Sequence, residues 1–144
     1  MRACNPTLVL LSLLLLVIAS CEQEPTESPI GTLPEGSYRY TAYDEKGTLA
    51  VRGWLTIEFD DSHGLHGEWH SVEVGDASRM GPQVGDGKLV GSAEDGQAWI
   101  DLNPQYRDNN VVLNGSISRS SFKGIWTWST FVGVTSQGRF EAVR

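Results

Sequence analysis

The stretch "TLAVRGWLTIEFD" (residues 48–60) constrains the fold more than any other part of the chain. Leu49, Val51, Leu55, Ile57 and Phe59 fall on one face, with Gly53 among them, while Thr48, Arg52, Thr56, Glu58 and Asp60 fall on the other. Period two with one apolar face predicts a half-buried antiparallel strand, and no segment carries a helical stripe. The same reading places strands near 37–43, 48–60, 65–74, 87–94, 97–102, 110–118, 121–131 and 137–143. Turn chemistry separates them at Asp44-Glu45-Lys46-Gly47, Asp61-Ser62-His63-Gly64, Asp95-Gly96 and Arg119-Ser120-Ser121. The expected class is all-β: an eight-stranded antiparallel up-and-down meander, closed into a barrel because closure removes exposed edges.

A second regularity supports closure. Glycine stands two positions before a large apolar residue at Gly53/Leu55, Gly67/Trp69, Gly87/Leu89, Gly115/Ile117, Gly124/Trp126 and Gly138/Phe140, so each pair shares a face. Glycine weakens a strand interior, and its repeated use there needs a reason. Strong coiling at barrel corners supplies one, since glycine lets a strand bend and makes room for a neighbouring ring. A flattened sandwich with glycines at its bends is the alternative.

The first twenty residues follow other rules. Leu8–Ser20 holds no charge, and thirteen helical residues reach about 20 Å against roughly 30 Å of bilayer hydrocarbon. A positive start at Arg2, a short apolar run and small residues before a cut describe a secretory signal peptide. Its end, Ile18-Ala19-Ser20-Cys21, resembles the lipobox of bacterial lipoproteins. That resemblance implies cleavage before Cys21 and thioether attachment of a diacylglyceryl group to it, holding the protein on a membrane without spanning it. Cys4 would leave with the leader, so the domain has no thiol for a disulfide or a metal. Glu22–Gly36 contains three prolines and four glutamates and reads as a flexible tether of about 20 Å reach. The organisation is thus 1–20 signal peptide, 21–36 lipidated cysteine and tether, and 37–144 barrel. Glu22 is not the aspartate that retains some lipoproteins at an inner membrane, so the resemblance favours the outer membrane of a bacterial envelope.

Charge narrows the partners. The chain carries 18 acidic and 11 basic residues, and Arg2 leaves with the leader. With the tether's four glutamates set aside, the domain is at −4. An acidic domain argues against nucleic acid, whose phosphates attract a basic surface, and against docking on anionic lipid.

In a meander successive links alternate between ends. The long links 75–86 and 103–110 therefore share one end with the links after strands one and seven, and the tether arrives at the other. A loop-rich mouth facing away from the membrane is expected, fringed by Met80, Gln83, Tyr106 and Arg107. Phe122, Trp126 and Trp128 share a face of strand seven, and Trp69 has the matching phase of strand three. Such rings either fill a small barrel or line a pocket for one small apolar ligand. Trp54 falls in the polar phase and is expected partly exposed, resting on Arg52 or a neighbouring strand.

Two families share this architecture. Gly36-Ser37-Tyr38 loosely resembles the Gly-x-Trp of the lipocalin first strand. "WSTFVGVTSQGRF" (128–140) resembles the last-strand segment of the avidin family, whose Ser-Thr-aliphatic-Val-Gly run precedes a biotin-binding aspartate. Here Val134 and Thr135 follow Gly133 and no aspartate stands there, so the likeness implies architecture and not biotin binding.

Metal and catalytic chemistry find little footing. His66, Glu68 and His70 share a strand face, but it lies opposite Trp69 and is expected to be outside, with the two histidines about 13 Å apart. No metal or other cofactor is expected. The chain lacks G-x-S-x-G and a phosphate-binding glycine loop, and Asp60-Asp61 and Glu94-Asp95 read as turn formers. The expectation is a non-enzymatic lipoprotein. Its leading function is capture of a small apolar ligand in the barrel; the alternative is an envelope interaction or structural module with a filled core, contacting protein or glycan through its loops or Trp54.

Overall fold

A computed structural model describes residues 33–62 and 64–144. The expected signal peptide, Cys21 and the expected tether up to residue 32 lie outside them, as does His63. Eight antiparallel strands follow one another: β1 (Gly36–Tyr43), β2 (Leu49–Phe59), β3 (Gly64–Glu73), β4 (Gly85–Glu94), β5 (Gln97–Asp101), β6 (Asn109–Ser118), β7 (Ser121–Thr130) and β8 (Gly133–Val143). Each pairs with its neighbour, and β8 returns to β1 through Arg39↔Val143 to Ala42↔Phe140, so the sheet closes into a meander barrel.

The glycine pattern explains how so small a barrel holds so many rings. Inner glycines stand opposite large inner side chains: Gly53 pairs with Tyr40, Gly67 with Leu89, Gly87 with Trp69, and Gly138 with Trp126. A Cβ on Gly87 would lie 2.8 Å from the Trp69 Nε1, and one on Gly138 as close to the Trp126 Nε1. At Gly67 and Gly53 the obstacle is the adjacent strand itself: a methyl there would sit 1.9 Å from the carbonyl oxygen of Thr56 or of His70, respectively. Alternating small and large residues let the coiled strands approach and the rings interdigitate. Phe122 and Phe140 meet edge-on at 4.7 Å between centroids, and Tyr40 lies 6.2 Å from Phe140.

Three details differ from the alternation. Ala42 pairs with Val51 and Tyr43 with Leu49, so Ala50 is an extra, bulged residue; Ala50 and Val51 are both buried while Leu49 is only half-buried. β8 starts at Gly133, four residues before the expected position, because the buried residue there is Ser136 while Val134 is exposed, so the segment gives no apolar alternation. The domain also begins before Ser37. Leu33, expected in the tether, is buried at the tight-turn end, the Tyr38 hydroxyl donates to the Pro34 carbonyl, and the Phe59 N–H donates to the Glu35 carboxylate at 2.9 Å.

Candidate functional site

The mouth is filled in part. Tyr106 and Arg107 are exposed as expected, but Met80 and Gln83 are only 1% and 0% exposed, which corrects their placement on an open rim. The β3–β4 link turns inward instead, because Met80 gains burial in the core and Gln83 finds a partner at each end of its amide. The Tyr40 hydroxyl donates to Gln83 Oε1 at 2.7 Å, Gln83 Nε2 donates to the Met80 carbonyl at 2.6 Å, and the Ser71 hydroxyl donates to the Gln83 carbonyl. Burial pushes the Tyr40 phenol far above its ordinary range, so it stays a neutral donor. A buried amide satisfied on both ends is a lock, since breaking any one bond strands a desolvated group.

The β5–β6 link is fastened to the same plug. Asn103, 2% exposed, donates to the Pro82 carbonyl at 2.8 Å and accepts from the Val111 N–H at 3.1 Å. Asn110 Nδ2 donates to Asp101 Oδ2 at 2.8 Å and to the Asn103 carbonyl at 3.0 Å. On the β8 side the Ser136 hydroxyl donates to the Arg79 carbonyl. Gly81, at φ +66°, lies flat on the Trp128 indole, where a Cβ would fall 2.5 Å from the ring. Gln83 and Asn103 are polar residues in polar loops, and nothing in their sequence spacing distinguishes them from solvated ones.

The four pocket candidates divide accordingly. Trp69, Phe122 and Trp126 are buried in the core, and Trp128 packs half-buried against it beneath the plug. All three indoles are tied down: Trp69 Nε1 donates to the Leu102 carbonyl at 2.6 Å, Trp126 Nε1 to the Tyr43 carbonyl at 2.8 Å, and Trp128 Nε1 to Asn109 Oδ1 at 2.7 Å. A cleft of about 200 Å³ between the β1–β2 turn and the plug reaches Met80 and Trp126 from outside.

His66, Glu68 and His70 are exposed on the outer face of β3. The structure gives the two histidines separate neighbours. His66 Nε2 lies 3.5 Å from Glu58 Oε2, while the His70 ring lies 6.0 Å from that of Trp54, which is 41% exposed. The partner of Trp54 is therefore on the neighbouring strand. Of the carboxylates in turns, Asp60 is exposed, and hydrogen bonds from the Ser62 hydroxyl and the Gly64 and Ser62 amides hold it below the usual carboxylate range. Ser78 does the same to Asp76. A depressed pKa suits a turn former and works against a general acid or base.

The outside of the barrel offers a further surface. No family model, no curated protein and no solved structure matches this chain. Its outer face carries one continuous row across five strands: Ser92, Trp99, Asn114, Ile125 and Arg139 are successive cross-strand partners. Trp99 and Ile125 are 43% and 44% exposed. A groove of about 320 Å³ opens at one end of the row, lined by Ser92, Glu94, Gln97, Trp99 and Asn114. The alternation that puts Trp69 and Trp126 inside puts Trp99 outside. Sequence reasoning missed this residue although the phase of its strand was legible.

Proposed function

We propose that the protein is a lipid-anchored lipoprotein of a bacterial envelope, and that its barrel is a non-enzymatic interaction module with a filled core. Recognition then falls to the outer surface. The observation that supports this reading is the plug: Met80, Gln83 and Asn103 are buried and bonded at the mouth through which an internal ligand would enter. Ligand-binding barrels keep a largely pre-formed cavity behind an open mouth. The anchor rests on the likeness of residues 18–21 to a lipobox.

The cleft that reaches Met80 and Trp126 favours a second reading, capture of a small apolar ligand after the plug moves aside. Mass spectrometry of protein extracted from bacterial membranes separates the two and tests the anchor together. The expected result is a chain starting at Cys21 with added acyl mass and no co-purifying small molecule in the organic extract. An equimolar apolar molecule would favour the second reading. Retention of residues 1–20, or normal processing of Cys21→Ser, would remove the anchor.

A further inference from the structure

We propose that the tip of the β7–β8 hairpin is a second, shallow contact with the bilayer, laying the barrel against the membrane that holds its lipid. The inference rests on the lipid-anchored reading of Cys21. The tip consists of Phe131 and Val132 between the paired Thr130 and Gly133. Phe131, Val132 and Val134 are 85%, 76% and 64% exposed, more than any other large apolar side chain among the described residues. The other tight turns carry Asp44-Glu45-Lys46-Gly47, Asp60-Asp61-Ser62, Asp95-Gly96 and Arg119-Ser120. Two-residue hairpin turns favour glycine, asparagine and aspartate, so turn geometry does not call for phenylalanine and valine here.

The tip suits a bilayer better than a protein. Its three side chains are far fewer than the roughly 20–30 residues a side of a stable protein interface. That shortfall counts against a second copy and a foreign partner alike. A chain already held by lipid needs little more, because the anchor confines the tip to a thin layer above the bilayer. The tip protrudes, and the depressions beside the β1–β2 turn are lined by other residues, so it grips no small ligand. No charged side chain stands between Gly124 and Gly138, so the hairpin end reaches the acyl boundary without desolvating a charge.

Chain length permits the pose. The segment from Cys21 to Leu33 reaches about 40 Å when extended. β8 spans 11 residues, which at the tilt of a barrel strand makes the domain about 28 Å tall. The lipid, joined at the tight-turn end, and the tip, at the mouth end, can therefore meet one leaflet with the barrel on its side. The mouth then lies along the membrane instead of facing away from it. At the same end Asp44, Glu45 and Asp76 outnumber Lys46 and Arg79, so the fitting surface has zwitterionic and not anionic headgroups.

The test reconstitutes the membrane-extracted full chain in phosphatidylcholine vesicles, with an environment-sensitive fluorophore on Val132→Cys. The control carries it on Val90→Cys, exposed on β4, four strands from β8 around the barrel. Emission from position 132 should shift to the blue and be quenched by spin-labelled phosphatidylcholine; position 90 should show neither. Phe131→Ser should lower the quenching at 132 severalfold, and its exposure leaves the fold intact. Replacing part of the phosphatidylcholine with phosphatidylglycerol should lower it too. No shift at 132 in a chain that carries acyl mass, or equal quenching at both positions, overturns the inference and leaves the anchor standing. A shift that grows with protein density and resists the labelled lipid means a second copy covers the tip, which overturns it as well. A chain without acyl mass that does not float with the vesicles removes both the anchor and the contact.

Discussion

Trp126 is 1% exposed and spends its single polar group on the Tyr43 carbonyl. Replacing it with alanine removes a large buried ring and strands a carbonyl, so Trp126→Ala should cost about 3–5 kcal/mol. Trp69→Ala should cost a similar amount, being 4% exposed with its N–H on Leu102. Trp128→Ala should cost less, since that ring is only half-buried. Denaturant unfolding of the three variants checks the order; equal, small losses would mean the rings are not the core. Asp60 makes a different prediction. Its carboxylate accepts from Ser62 and Gly64, which lowers its pKa from an ordinary 3.8. A depressed acid stabilises its turn fully above the unfolded-state pKa, and that contribution disappears as pH falls through the folded-state value. An NMR titration should therefore give Asp60 a midpoint below 3.8, with the Ser62 and Gly64 amides shifting in step. A midpoint at or above the ordinary value would remove the turn's hydrogen bonds from the account.

At the scale of elements, strand existence was legible because one face is buried and its residues alternate. The inner glycines were legible for the same reason: they keep the phase of the large residues two positions on. Gly67 is the sharpest test. A methyl there would meet the Thr56 carbonyl oxygen at 1.9 Å, and the obstacle is backbone of the next strand, not a movable side chain. Gly67→Ala should destabilise by about 1–3 kcal/mol, as overpacking does. Phe131→Ser, at the tip of the β7–β8 hairpin where Phe131 is 85% exposed, should change stability by less than about 0.5 kcal/mol. Equilibrium unfolding measures both, and a neutral Gly67→Ala would mean the strands approach less closely there. The bulge at Ala50 was not legible. Val74 and Gly75 both donate to its carbonyl, at 2.9 and 3.1 Å, and those donors come from a link whose path alternation does not describe.

For the whole molecule, the chain enters at the tight-turn end and the plugged mouth lies at the opposite one. Leu33 falls within the segment expected to be tether. It is 1% exposed, so the folded unit includes residues that composition assigns to a disordered linker. A soluble fragment of residues 33–144 should be more stable than one of 37–144, and Leu33→Ala should account for much of the difference, about 2–5 kcal/mol. Comparison of their thermal midpoints checks this; identical midpoints would return Leu33 to the tether.

What the sequence determined by itself is the part governed by short-range periodicity. The strand number, the inner phase, the burial of Trp69, Phe122 and Trp126, the exposure of Trp54, and the turn at Asp95-Gly96, where φ is +48° and +77°, all follow from residues a few positions apart. Closure into a barrel followed because every strand of a meander can satisfy its edges that way. What only the tertiary structure decided is the state of the mouth. Whether a polar loop stands open or folds inward depends on partners far along the chain: Gln83 needs Tyr40, 43 residues away, and Asn103 needs Pro82, 21 residues away. A lone glutamine or asparagine carries no mark of such a partner. The bond becomes favourable only when the folded barrel has excluded water from both groups.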